Sequence, residues 1–350
     1  MNRCKLCVTN DADDTGSHVV PHFLLKRIFN VENAKGRDQE ISFKISALDV
    51  QMSFGRSVQP EKLEEVFGDL SDEELEARAM ADLVVDNEWC KSCEKKFADL
   101  ESFYSKTLAV EKETEYQSTD DSLGALMFWL SIIWRISATG KNNLRLSAKD
   151  ERKIRNLLNE YEPGKNNDEF TKKWSPVLDE ISYQVYRSPD YYKKIDPEHG
   201  TFLLDGKNMQ PYAIMVDEFA VLIYMKKSHL KLKLAAFFDF ENLDGALSNF
   251  DSGENITPLS VEEYGSHISK VVEYMKDIKL DRYRGILNRL YRKIGHQGNM
   301  PEHIVGEIIA QMTSDERKLG RKYTHEDFVK CTTEVVLKHH VELRQINRGR

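Results

Sequence analysis

The chain has 350 residues, of which 40% are hydrophobic, and a formal net charge of -8. That length and apolar content suffice for one large core and readily for two, while the acidic balance excludes a general basic coat for nucleic acid and leaves only local patches for such a role. No positively charged start leads into an apolar run, so no secretory signal is expected. Five cysteines in a chain of this length then argue against a disulfide framework and for a cytoplasmic protein.

Four of the five cysteines form two pairs, Cys4-x-x-Cys7 and Cys90-x-x-Cys93. Each such knuckle turns two sulfurs toward one point, and two of them supply the four thiolates of a tetrahedral structural zinc site. A metal there would pin an N-terminal segment that otherwise frays, since zinc binding in small structural sites is worth about 10–16 kcal/mol. A rival ligand set is Cys4, Cys7, His18 and His22, spaced nearly as in a zinc finger. It requires His18 and His22 to share a helical turn, and Pro21 between them disfavours that by forcing Val20 out of the helical region. Pro21 is better placed to open a helix over "HFLLKRIF". The segment between the cysteine pairs contains an acidic, helix-leaning insertion at about 55–88, whose charges read as a solvated face. After the second pair, "CKSCEKKFADLESFYSKTL" reads as a knuckle running into an amphipathic helix that begins near Glu94.

Residues 120–195 read as helical. "LGALMFWLSIIWRIS" (123–137) is too short for a bilayer span and carries Arg135, so a buried helix is expected, with Phe128, Trp129 and Trp134 as core residues. Ser147 and Asp150 have capping-box spacing ahead of "KIRNLL", and Pro163-Gly164 is a stop signal. From 200 the pattern changes: "GTFLLDG", "YAIMVDEFAVLIYM" and "LKLKLAAFFDFE" suggest a three-stranded antiparallel meander around 200–240. Helices return from about 260, with "DRYRGILNRLYRKIG" amphipathic and Cys331 a buried thiol. The fold class is therefore α+β and helix-rich. "MKKSHLKLK" and "ERKLGRKYTH" are basic enough to meet phosphates or to be solvated turns. His296, Asn299 and His303 cluster in a glycine- and proline-bearing loop without a spacing that identifies a reaction.

The N-terminal order of C-x-x-C, a histidine in "SHVVP", then C-x-x-C followed at once by a polar residue and a helix resembles the zinc-stapled HNH nucleases of the ββα-metal fold. The resemblance covers roughly the first third of the chain. It implies a zinc-stabilised HNH-like nuclease module over 1–110 and a mainly helical α+β domain over 111–350 that regulates or positions it. His18 would be the general base, Cys4, Cys7, Cys90 and Cys93 the structural zinc ligands, and Glu94 a ligand of a catalytic Mg²⁺ or Mn²⁺. The activity implied is metal-dependent hydrolysis of DNA phosphodiesters, with bacterial defence against phage or plasmids as a setting, a protein activator as a further partner, no membrane, and an unassigned oligomeric state. Such chemistry suits these residue types. A histidine near its ordinary pKa accepts a proton from water at neutral pH, and carboxylates suit hard cations.

The sequence departs from the family where an acid commonly precedes the base, because Ser17 stands there. Asp13 and Asp14 lie in the loop before it. The family's middle asparagine has its nearest counterparts in Asn87 and Asp86. Glu101 shares a helix face with Glu94 but seven residues rise about 10 Å, too far for one ion. Two other readings follow: a non-catalytic zinc-dependent binding or scaffold protein, favoured by Ser17 and by the net negative charge, and an RNA-directed nuclease toxin.

Overall fold

The computed structural model describes residues 2–29, 41–46, 49–54, 83–110, 121–140, 144–189, 191, 202–204, 210–231, 245–319, 325–341 and 343. In chain order the elements are β1 (Ser17–His18), α1 (His22–Phe29), β2 (Ile41–Ser46), β3 (Asp49–Phe54), β4 (Val84–Val85), α2 (Lys91–Val110), α3 (Ser122–Thr139), α4 (Ala148–Glu160) and α5 (Asp168–Leu178). They continue with β5 (Ser182–Arg187), β6 (Phe202–Leu204), β7 (Tyr212–Val216), β8 (Phe219–Tyr224), β9 (Ile256–Pro258), α6 (Val261–Lys293), α7 (Glu302–Leu319) and α8 (His325–Lys338). The helix-rich α+β class is as expected. The acidic insertion lies, up to residue 82, outside the described residues.

Two compact units divide the chain: 1–43, 52–57 and 78–271 in the first, 44–51, 58–77 and 272–350 in the second. Position 110, read from sequence as a boundary, lies inside the first unit. One apolar core there joins Cys4, Leu6, Val19 and Trp89 to Trp129, Trp134, Val185, Val221 and Ile256.

At the centre of that unit is α3. Asp121 caps its start by accepting from the Gly124 amide (2.7 Å), and Gly140, at φ +71°, ends it in the left-handed conformation with its N–H on the Ser137 carbonyl. The expectation of a buried helix holds: every residue from Gly124 to Ser137 is buried. At 18 residues α3 is long and apolar enough to cross a membrane, but 83% of it is covered by the protein itself. The cap of α4 also forms as the spacing predicts, with Ser147 Oγ accepting from the Asp150 amide at 3.1 Å. The reciprocal half differs. Asp150 takes the Ser147 hydroxyl (2.8 Å), while the Ser147 amide donates to the Tyr212 hydroxyl (2.9 Å), so the cap is stitched to β7.

The sheet of the first unit has the order β6-β7-β8-β5-β9. Its consecutive strands β6, β7 and β8 are antiparallel, which is the meander anticipated from sequence, but the segments are apportioned differently. "YAIMVDEFAVLIYM" contributes two strands with Val216 opposite Phe219 across a tight turn, and Asp217 adopts φ +51° there. Lys227–Lys231 form a 3-10 turn, and the rest of the third proposed strand lies outside the described residues. Two strands corrected the reading: β5, in a stretch taken as helical, and β9, which pairs with β5 in parallel. Polar and apolar residues alternate only from Ser182 to Val185, and Tyr186 and Arg187 break the period, so the strand was overshadowed by the helical pattern that precedes it.

In the second unit the described residues of the C-terminal helices enclose a small core of Leu287, Tyr291, Met300, Ile304, Val305, Ile308, Met312, Cys331 and Val335. Cys331 is buried there, as expected, with its thiol on the Ile308 carbonyl.

Candidate metal centre

The N-terminal knuckle is a closed loop. Ala12 donates to the Asn2 carbonyl (2.8 Å), Cys4 to that of Asn10 (2.9 Å) and Val8 to that of Cys4 (2.9 Å). Val8 sits at φ +54°, an uncommon place for a β-branched residue, and the loop holds it there while turning Cys7 back toward Cys4. The Lys5 amide reaches the Glu88 carbonyl (3.0 Å), and its ammonium meets the Glu88 carboxylate (2.5 Å) and the Ala138 carbonyl at the end of α3 (2.8 Å). The second knuckle is the start of α2, where the amides of Cys93 and Glu94 both donate to the Cys90 carbonyl at 2.9 Å.

These two loops bring the sulfurs of Cys4, Cys7, Cys90 and Cys93 within 4.8 Å of one another, with Cys7 and Cys90 at 3.9 Å. Zinc–sulfur bonds of about 2.3 Å imply sulfur separations of about 3.8 Å in a tetrahedron, so the set fits a single ion. Neighbouring donors favour the thiolate at Cys4 and at Cys90. Cys93 hydrogen-bonds Cys4 and lowers its pKa to about 4, while Cys93 itself is pushed up by the same contact. Ser92 at 3.1 Å and Asn10 at 3.5 Å contact the Cys90 sulfur, whose pKa is also lowered against the opposing effect of burial. A four-cysteine cluster able to hold a metal such as zinc is therefore present. His18 and His22 are not part of it; their rings meet edge to face, with centroids 5.5 Å apart. As the position of Pro21 implied, α1 begins at His22.

Beside the cluster, β1 pairs with β4 in antiparallel register, Ser17 opposite Val85 and His18 opposite Val84. The chain then passes through Trp89 into the Cys90 knuckle and α2. Acidic side chains fasten this crossing: Asp13 accepts from the Lys91 amide (3.1 Å), Asp86 from the Gly16 amide (2.6 Å) and Asp14 from the Ser17 hydroxyl (2.9 Å). Asn87 is exposed and adopts φ +56°, with its amide on the Asp14 carbonyl (2.7 Å).

Glu94 occupies the first turn of α2. Burial pushes its carboxyl above the ordinary range; the Arg135 charge opposes that, Glu101 and Asp14 reinforce it, and the Ser17 hydroxyl lowers it. Its Oε2 atom is buried without a hydrogen-bond partner among the described residues. Glu101 is engaged elsewhere, with Oε1 at 2.7 Å from Arg135.

Sequence reasoning passed over Arg135 as anything but an interruption of an apolar run. It is fully buried, donates to the His18 carbonyl (2.8 Å) and covers the Phe97 ring at 4.8 Å. A lone charge inside an apolar helix was the available signal. In the loop at 293–304, the His296 ring stacks on Tyr291 at 4.3 Å and Asn288 accepts from the Met300 amide, so packing accounts for much of that segment. Compared with protein-family models, with curated proteins and with solved structures, the chain matches none.

Proposed function

We propose that residues 1–110 form a zinc-stapled HNH-type nuclease module, extended by the helices and sheet that follow, and that the protein is a metal-dependent endonuclease acting on DNA. The observation that carries this reading is the order of parts around the cysteine cluster: an antiparallel strand pair bearing His18, followed directly by a knuckle and a helix whose first turn bears Glu94. Zinc in the four-cysteine site would be structural. His18 would accept a proton from the attacking water, a role that typically contributes about 10²–10⁴-fold. The unpartnered Oε2 of Glu94, with the Asp14 carboxylate in electrostatic range, is the donor set that suits Mg²⁺ or Mn²⁺. Such an ion would neutralise charge developing on the phosphate. A cytoplasmic effector of bacterial defence, with a protein activator, is the setting that the family resemblance suggests.

A second reading, a non-catalytic zinc-dependent scaffold, is favoured by Ser17 in place of an acid and by the buried Arg135 charge beside Glu94. Plasmid cleavage in Mg²⁺ and Mn²⁺ by wild type and His18→Ala, with zinc measured on the same samples, separates them. Loss of cleavage in the variant with zinc retained supports the nuclease. A zinc-loaded wild type that leaves both DNA and RNA intact supports the scaffold or a nuclease awaiting its activator, and cleavage of RNA alone points to a toxin.

A further inference from the structure

Arg135 is the one charged residue of α3, and its side chain is fully buried. A guanidinium cannot shed its charge, so a position of this kind is tolerable only when its donors are matched, and an apolar residue of similar volume commonly serves packing as well. The partners of Arg135 lie on two other elements. Its Nη1 donates both to the His18 carbonyl of β1 (2.8 Å) and to Glu101 of α2 (2.7 Å). Its plane rests over Phe97, one turn before Glu101 on the same helix, and Nε and Nη2 contact Ser131 on its own helix.

This geometry bears on the strand that carries His18. β1 is two residues long and, among the described residues, pairs only with the two residues of β4. The Val19 amide donates to the Leu83 carbonyl at 2.7 Å, but the His18 carbonyl is directed to Arg135. The backbone of the proposed base is thus fixed against α2 by a side chain from α3.

We propose that Arg135 is a positioning residue for His18, tying the strand of the base to the helix of Glu94 through Glu101. The proposal rests on the nuclease reading for its catalytic consequence. It makes α3, beyond the stretch that resembles the HNH family, an integral part of the nuclease centre. A base must stand within hydrogen-bond reach of the proton it takes, and misplacement by 1 Å costs about 10²-fold.

The test compares full-length wild type, Arg135→Lys and Arg135→Gln. Lysine keeps the charge but loses the planar group that rests over Phe97 and meets Ser131 through Nε and Nη2, so nothing holds its nitrogen against His18 and Glu101. On zinc-loaded, folded samples we expect single-turnover plasmid cleavage to fall at least about tenfold in Arg135→Lys and further in Arg135→Gln. DNA affinity and zinc content should stay at wild-type values, and hydrogen exchange at the Val19 amide should accelerate. Wild-type cleavage rates in both variants overturn the proposal, as does a fall in DNA affinity that accounts for the whole loss. Should the wild type alone fail to cleave, the exchange measurement decides the tether without the activity: acceleration at Val19 supports it, and wild-type protection overturns it.

Discussion

The sulfurs of Cys7 and Cys90 lie 3.9 Å apart although 83 residues separate them in the chain. Both knuckles are built by local backbone bonds, so what the metal would add is their union. Replacing Cys90 with Ser removes one ligand from an otherwise fitting set. We expect the zinc-to-protein ratio to fall from one toward zero and stability to drop by about 4 kcal/mol or more, as is usual when a structural metal is lost. Atomic absorption with thermal unfolding checks both. A chelator should expose the thiols of wild type to a thiol reagent, and zinc should restore their protection.

The cysteine pairs were legible because ligand spacing is a local property, and so was α3, whose apolar run is long and bounded by Asp121 and Gly140. The meander was legible in kind but not in extent. β9 has only three residues, too few to show a period, and takes its place by pairing in parallel with β5. The surroundings of Glu94 were not legible at all, because they depend on partners distant in sequence: Arg135 reaches the His18 carbonyl across 117 residues. A sequence displays which groups are available for chemistry, whereas the field around them is set by packing.

Tyr104 of α2 stacks face to face on Phe128, with ring centroids 4.0 Å apart, and donates its hydroxyl to Glu254 at 2.8 Å. Trp129 donates to the same oxygen at 2.9 Å. Tyr104→Phe keeps the stack and removes one of the two donors to the buried Glu254 side chain, Trp129 remaining on the same oxygen. The expected cost is about 0.5–1.5 kcal/mol, the range for a single hydrogen bond. Urea denaturation should show a lower midpoint with an unchanged m-value.

Alkaline pH should destabilise the fold through its buried tyrosines. Burial raises Tyr212 to about 12, helped by Asp150 and opposed by its bonds with Ser147; Tyr161 and Tyr183 are also shifted up by burial. A raised folded-state value means that this contribution is fully present below the unfolded value near 10 and is lost as pH rises toward 12. Between those limits the unfolded chain has released a proton that the folded chain still holds, and stability falls by about 1.4 kcal/mol per pH unit for each such group. Tyr212→Phe should make that decline shallower by about one group's share, while lowering stability at pH 7 through loss of the hydroxyl's bond to Asp150 at 3.0 Å. Denaturant titrations from pH 8 to 11.5 on both proteins measure the difference in slope.

Asn87, one of two nearest counterparts of the family's middle asparagine, lies at φ +56° with its amide on the Asp14 carbonyl. The left-handed conformation there explains the residue without chemistry, since asparagine and glycine tolerate it and other residues are strained by about 1–2 kcal/mol. Asn87→Gly should therefore keep zinc content and cleavage and change stability little. Asn87→Val should cost about 1–2 kcal/mol or more, because a β-branched side chain is least suited to that region. A glycine variant that is stable and zinc-loaded yet inactive would instead assign the side chain amide to the reaction. The same pair of variants thus separates a turn that holds Asp14 against the second knuckle from a group that meets the substrate.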